Sequence, residues 1–270
     1  MIKRAHIRTL GTGMCVMAAI LPAGCGILDA EPGSEGLLKG ALTGRRGPRP
    51  LEAAEMAIDP YNANNRYLGT LALANAYFAG QEPYVALFVD NIDDPESSVR
   101  AAAARGLANH GEASHAPLLL GLLSDEDPRT RQEATRGLQR LHNPQAVPAL
   151  LGLVDSSKES DSAVRAEAAI ALGQYRENRV VRGLIAALDD PQLAVVRGAQ
   201  GSLATLTGQN FGDDRAAWAD WLEANSERTF ASARDYEYPV FNRDKRLYEY
   251  LPLVPPPPNE TASVPAGWPR

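Results

Sequence analysis

One short string recurs along the chain. Val99-Arg100-Ala101-Ala102-Ala103-Ala104-Arg105-Gly106-Leu107 and Val164-Arg165-Ala166-Glu167-Ala168-Ala169-Ile170-Ala171-Leu172 share a register. Each has a Val-Arg pair, a run rich in small residues, and a Leu seven places after the Arg. Thr130-Arg131 through Leu138 repeats it, as does Arg66 with Leu73. Val196-Arg197 opens a fifth copy, with Ala204 where the Leu would stand. The arginines at 66, 100, 131, 165 and 197 are 34, 31, 34 and 32 residues apart. Units of this size cannot bury an apolar face alone. They must stack on their neighbours, and the chain is then a one-dimensional array.

Each unit holds two helical patterns. The second helix offers Val85, Phe88, Val89 and Ile92 in the first repeat, Val147, Leu150, Leu151 and Val154 in the third, and Val181, Leu184, Ile185 and Leu188 in the fourth. These are i, i+3, i+4, i+7 stripes, one apolar face per helix. The first helices are rich in alanine, which lets neighbours approach closely. Asp93-Asp94-Pro95, Asp125-Glu126-Asp127-Pro128 and Asp189-Asp190-Pro191 separate the units. Asp caps helix starts and Pro is tolerated in a first turn. Pro83, Pro117 and Pro148 fit the starts of second helices in the same way.

The Asp-turn, Val-Arg, Ala-rich helix, Leu-rich helix pattern resembles HEAT repeats, in particular the short bacterial kind called PBS-lyase HEAT-like. The resemblance covers roughly residues 62–207. It implies an all-α solenoid of about five helical pairs, in which each repeat arginine pairs with acids of the turns. Leu206-Thr207-Gly208-Gln209-Asn210-Phe211-Gly212-Asp213-Asp214, followed by Trp218 and Trp221-Leu222, resembles a terminal motif of some bacterial HEAT-repeat lipoproteins. A repeat array needs caps at its ends. Asp213 or Asp214 can start a helix carrying Trp218, Trp221 and Leu222 on one face, and the two tryptophans would seal the last repeat. Residues 51–58 fit the second helix of a partial repeat at the other end.

The N-terminus has the pattern of an export signal, residues 1–24. Lys3, Arg4 and Arg8 precede an apolar stretch from Leu10 to Leu21, too short and too glycine-broken for a comfortable membrane span. Leu21-Pro22-Ala23-Gly24-Cys25 resembles a bacterial lipobox, in which the cysteine is lipidated and becomes N-terminal. The only other cysteine, Cys15, leaves with the signal, so Cys25 would have no disulfide partner. Gly26 follows, not the Asp of inner-membrane retention. The resemblance therefore implies a lipid anchor on the periplasmic side of the outer membrane. Ordinary cleavage near Ala23, giving a soluble periplasmic protein, is the alternative. Residues 25–50, rich in Gly and Pro, read as a flexible tether.

Without residues 1–24, which carry three basic side chains and no acid, 24 basic side chains face 33 acidic ones, a net charge of −9. That balance argues against nucleic acid, which calls for a basic surface. No catalytic, cofactor or metal constellation stands out. His110 and His115 are five apart in a Gly-containing loop, not the i, i+4 pair of a helix-borne zinc site, and His142-Asn143-Pro144 reads as a turn. No thiol remains for nucleophilic work. The expectation is a binding module of the cell envelope, not an enzyme, that engages a protein partner through the concave face of the solenoid. A HEAT-like lyase or other ligand-handling enzyme is the alternative; it rests on fold-level analogy alone.

Residues 226–270 differ from the rest. They hold eight prolines and the aromatics Phe230, Tyr236, Tyr238, Phe241, Tyr248, Tyr250 and Trp268. Pro255 to Pro258 predicts polyproline II, and a short helix fits Asp244 to Tyr250. Two readings stand: a strap docked on the solenoid, with Phe230, Tyr236 and Tyr238 packing first, or a free ligand for another protein.

Overall fold

The computed structural model describes residues 48–76, 78–238 and 263–269. The signal and lipobox with Cys25, the tether up to residue 47, the stretch around 244–250 and Pro255 to Pro258 lie outside the described residues.

The fold is an α-solenoid. Among the described residues one helix, α1 (Pro50–Ala57), precedes five pairs: α2 (Ala63–Ala74) with α3 (Tyr84–Asp90), α4 (Ser97–His110) with α5 (Ala116–Gly121), α6 (Pro128–Leu138) with α7 (Val147–Leu153), α8 (Ser162–Leu172) with α9 (Asn178–Ala187), and α10 (Leu193–Thr207) with α11 (Arg215–Ala224). The first helices of successive pairs pack on one another in a row; α3, α5, α7 and α9 each pack on a neighbouring first helix, and α11 packs on α9.

The starts of these helices follow from the turn acids. Asp127 accepts from the Thr130 N–H at 2.9 Å, with Pro128 at the first helical position. Asp161 accepts from the Ala163 and Val164 N–H groups, and Asp214 from the Ala217 N–H at 3.0 Å. These bonds satisfy N–H groups that a helix start leaves open. Pro95 and Pro191 stand just before the N-cap residues Glu96 and Gln192, outside the helices themselves.

The second helices α3 and α5 are short, and their apolar stripes run on through 3₁₀ turns. Val85, Phe88 and Ile92 are buried although α3 ends at Asp90. Val89 and Leu151 are only half-buried and lean to the outer face of their helices. In α9 all four expected residues, Val181, Leu184, Ile185 and Leu188, are buried.

In the first helices, Leu73, Leu107, Leu138, Leu172 and Leu203 have no exposed surface. Each contributes about 1.5–3 kcal/mol of hydrophobic stabilisation by this burial. Ala103, Ala134, Ala168 and Ala199 are equally closed off, and a larger side chain at these points would push neighbouring helices apart.

This series corrects the expected fifth repeat. Leu203, not Ala204, takes the leucine position, so Val195-Val196 is the counterpart of Val99-Arg100. Val195 is buried like Val99 and Val164, while Arg197 is exposed. The cause is one extra residue. Six positions separate Asp94 from Arg100, Asp125 from Arg131 and Glu159 from Arg165, but seven separate Asp190 from Arg197. The helix keeps its apolar face inward, and the arginine is carried round to solvent.

The far end is closed by aromatics. Trp218 is buried and its indole N–H donates to the Gly212 carbonyl at 3.0 Å. Phe211 meets it edge-on at 4.9 Å between centroids, and Trp221, half-buried, meets it edge-on at 6.4 Å. Gly208, with φ of +72°, lets the chain turn out of α10, and a side chain there would meet Ser232.

Candidate functional site

The solenoid presents two edges and the outer faces of its helices. One edge carries the turns between repeats and is built as a ladder. Arg66 donates through Nε to Asp94 at 2.6 Å and through Nη2 at 3.1 Å. Arg100 holds Asp125 at 2.7 and 2.9 Å, Arg131 holds Glu159 at 2.7 and 2.8 Å, and Arg165 holds Asp190 at 2.7 and 3.2 Å. Each fork grips the acid of the following turn. The remaining nitrogen of each, Nη1, donates to carbonyls of the turn before its own helix: Asp59 for Arg66, Asp94 and Pro95 for Arg100, Asp125 and Glu126 for Arg131, Glu159 and Ser160 for Arg165. The acids in turn accept the N–H two residues on, at Glu96, Asp127, Asp161 and Gln192. Every rung therefore bolts two turns together with charge-assisted bonds. Glu159, not an Asp, serves the third rung. Burial raises the Asp125 pKa, but its bonds to Arg100 and the Asp127 N–H, with the charges of Arg100 and Arg131, hold it below the usual value. Arg197, out of register, has no ion-pair partner among the described residues.

A second polar row runs over the first helices. Glu133 is paired with Arg105 and lies 3.5 Å from Arg136, and Arg136 also pairs with Glu167. Gln139 donates to the same Glu167 at 2.6 Å. These bonds tie α4, α6 and α8, and like the ladder they hold side chains in place.

The histidines do not meet. His110 sits 3.1 Å from the Ala74 carbonyl and stacks on Phe88. His115 accepts the Glu112 N–H at 2.9 Å. His142 lies 2.8 Å from Gln174 Oε1 and stacks on Tyr175 at 5.0 Å. Gln174 gives its amide hydrogens to the Leu138 and Ala171 carbonyls, so its oxygen accepts, and His142 carries its proton on Nδ1. Burial lowers the pKa of His110 and of His142. Among the described residues no three His, Cys, Asp or Glu side chains come together to hold a metal ion, and no helix is long and apolar enough to cross a membrane.

The outer face of the second helices is open. Between α5 and α7 lies a cleft of about 300 Å³ lined by Leu120, Leu123, Ala149, Gly152, Leu153 and Lys158. Between α9 and α11 lies another, lined by Arg182, Ile185, Ala219, Leu222, Glu223 and Ser226. Gly121 and Gly152 have open space where a side chain would be. The floor is apolar and the rim carries charges of both signs, an arrangement that can receive a polypeptide. Repeat counting located the helices but not the clefts. The signal available in sequence was the glycine at 121 and 152, next to the leucines of two short apolar helices.

The second edge carries the turns within repeats, and the C-terminal segments lie along it. Phe230 is half-buried against the core, Tyr236 is buried and Tyr238 half-buried. The Arg234 N–H donates to the Thr205 carbonyl at 2.8 Å, and Arg140 lies over the Tyr238 ring at 5.3 Å. Tyr238 and Ser263 exchange backbone hydrogen bonds at 2.9 and 3.2 Å.

Two overlapping segments, residues 85–161 and 135–204, match the family model for HEAT repeats. No curated protein matches the chain. Among solved structures, two engineered proteins are similar at 19% and 22% identity, each over 66% of this chain and over 92% and 89% of theirs, with TM-scores of 0.42 and 0.46. Kap121p is similar at 16% identity over 73% of this chain and 22% of its own, with a TM-score of 0.42. The family match falls on the stretch where the arginine ladder and the leucine series recur, and the described body of the chain is a HEAT-type α-solenoid.

Proposed function

We propose that this chain is an exported protein-interaction module of the cell envelope, held to the periplasmic side of the outer membrane by a lipid on Cys25, that binds a protein partner through the concave face of its solenoid. We assign that face to the second helices. The observation that carries the reading is the open cleft between α5 and α7, apolar at its floor and bordered by Lys158. The ladder side chains, Glu159 at the border of this cleft among them, serve the array itself, whereas Leu120 and Ala149 line the cleft and stay partly accessible. HEAT arrays offer long surfaces of this kind. The Lys3, Arg4, Arg8 and Leu21 to Cys25 pattern supports the export and anchoring part.

Two experiments test it. A photo-crosslinking residue at Ala149 or Gly152, introduced in the native cell and followed by mass spectrometry, should capture one protein repeatedly, while the same probe at Ala163, on a first helix, should not. Equal capture from both positions, or capture from neither, would sink the interaction face. Cys25→Ala should abolish fatty-acid labelling and release the protein from membranes. If the variant labels and fractionates like the unaltered chain, the anchor is wrong.

A further inference from the structure

Residues 263–269 lie across the turns of three consecutive repeats. The Ala266 N–H donates to the Arg140 carbonyl at 2.7 Å and the Ala266 carbonyl accepts the His142 N–H at 2.9 Å, a one-residue parallel bridge at Leu141 and Ala266. Pro265 is buried, and its carbonyl accepts the Trp268 N–H at 3.2 Å. Gly267, third in this four-residue turn, has φ of +81°. That is the third position of a type II turn, which favours glycine. The glycine also allows close approach, because a Cβ there would come 2.8 Å from the Ala113 Cβ. The turn presents Trp268, whose indole N–H donates to the Gln174 carbonyl at 3.3 Å and whose ring lies 5.5 Å from the Arg176 guanidinium.

The receiving groups belong to the array; Gln174 is fixed by it, and Arg176 is held by the Arg234 carbonyl at 3.4 Å and by Asp235 at 3.7 Å. Gln174 is buried and bonded to Leu138, Ala171 and His142, none of them in the tail. His142 is stacked on Tyr175, whose hydroxyl donates to the Asn143 carbonyl at 3.0 Å. The slot stays in place when residues 263–269 leave. The occupant is lightly held by comparison: Ala266 and Gly267 are exposed, Val264 is 40% exposed, and Trp268 is half-buried. A 24-residue connection, 239–262, joins Tyr238 to Ser263, and these two residues already touch. Tethering, not contact area, keeps the turn in its slot. A covalent link of this length raises the effective concentration of the turn at its slot, which a free peptide must outcompete.

We propose that this edge is a docking slot for a Pro-small-Gly-Trp turn, filled in the resting chain by its own residues 263–269 and open to a partner polypeptide presenting the same turn once the strap lifts. The proposal uses none of the residues lining the second-helix clefts, so either reading can fail alone. The probe is a labelled peptide, Ser-Val-Pro-Ala-Gly-Trp-Pro, titrated by fluorescence anisotropy into the full chain. The unaltered chain should bind it weakly. Trp268→Ala, which unseats the strap, should bind it at least about tenfold more tightly. Adding Arg176→Ala to that chain should reduce binding several-fold, and a peptide with Ala in place of Trp should not bind. Gly267→Val disturbs the strap alone and serves as the second variant, with circular dichroism confirming that the array is folded. Absence of binding to both folded variants at millimolar peptide, or equal binding to all three chains, overturns the proposal.

Discussion

Arg165 and Arg197 show how one position along a helix changes what the same residue type is worth. The Arg165 side chain is 6% exposed, and its partner Asp190 is 2% exposed. Removing one member of such a pair leaves the other charged and buried without its counter-ion, which costs about 3–5 kcal/mol. Arg165→Ala should therefore lower the urea midpoint sharply. Arg197→Ala, at an exposed position with no ion-pair partner among the described residues, should change stability by less than about 0.5 kcal/mol. Comparable losses from the two would show that the ladder is not what distinguishes them.

The buried histidines act in the opposite sense, as a weakness in acid. Burial lowers the His110 pKa from 6.5, helped by the Arg140 charge and opposed by the Ala74 carbonyl; burial also lowers that of His142, opposed by Gln174. The folded chain thus binds fewer protons than the unfolded chain, and stability rises with pH. Their contribution is complete above the unfolded value of 6.5 and is lost as pH falls from there toward the lowered folded values. Melting temperatures measured between about pH 8 and pH 5 should decline in that lower window, and His110→Asn with His142→Asn should flatten the decline. An unchanged slope in the double variant would remove the histidines from the account.

Helix ends and helix contacts decide the next scale. A Cβ on Gly69 would run into the Ala53 carbonyl and the Ala57 N–H of α1, both backbone, so neither can swing away. Gly69→Ala should push α1 off the array at a cost of about 1–3 kcal/mol, seen as loss of amide protection confined to residues 50–57. Protection retained there would mean that the two helices do not approach so closely. Helix pairing was legible in the sequence, because apolar period and turn acids each mark a helix by a local pattern. What sequence spacing alone misplaced was the fifth repeat. Val196-Arg197 copies the dipeptide of the other units, and the eye follows the dipeptide, but the fold follows the buried Val195 and Leu203. Counting from the turn acid, not from the arginine, gives the structural register. The acid of the third rung, Glu159, was hidden for a related reason: it lies in Asp155 to Asp161, a turn without the Asp-Pro pair that marks the others. The slot for residues 263–269 left no local pattern at all, since its bonds join Ala266 and Trp268 to residues about a hundred positions away.

At the scale of the whole molecule, stability is a sum of repeats and the interfaces between them, so an injury at one interface need not reach the far end. Ala168 is the sharpest place to apply it. It has no exposed surface and sits three residues after Arg165, in the helix that packs against both α6 and α10. Ala168→Asp would put a carboxylate there with no partner in reach, at a cost of about 3 kcal/mol or more. On the C-terminal side, α8 to α11 would lose the neighbour that buries them, and the Trp218 seal would have no stack to close. On the N-terminal side, α1 to α5 keep buried residues of their own, Phe88 and Leu107 among them. The strap complicates a clean break, because residues 263–269 reach from Ala113 to Gln174 and so bridge the second, third and fourth repeats. Unfolding of the fourth repeat removes the Gln174 and Arg176 contacts, and the strap should come away with it. Hydrogen exchange on the variant should therefore show α8 to α11 and residues 263–269 losing protection together, with α1 to α5 retained. A melting curve identical to that of the unaltered chain would contradict the stacking of these helices. A single global loss across all five pairs would instead show an array coupled tightly enough to fold as one unit.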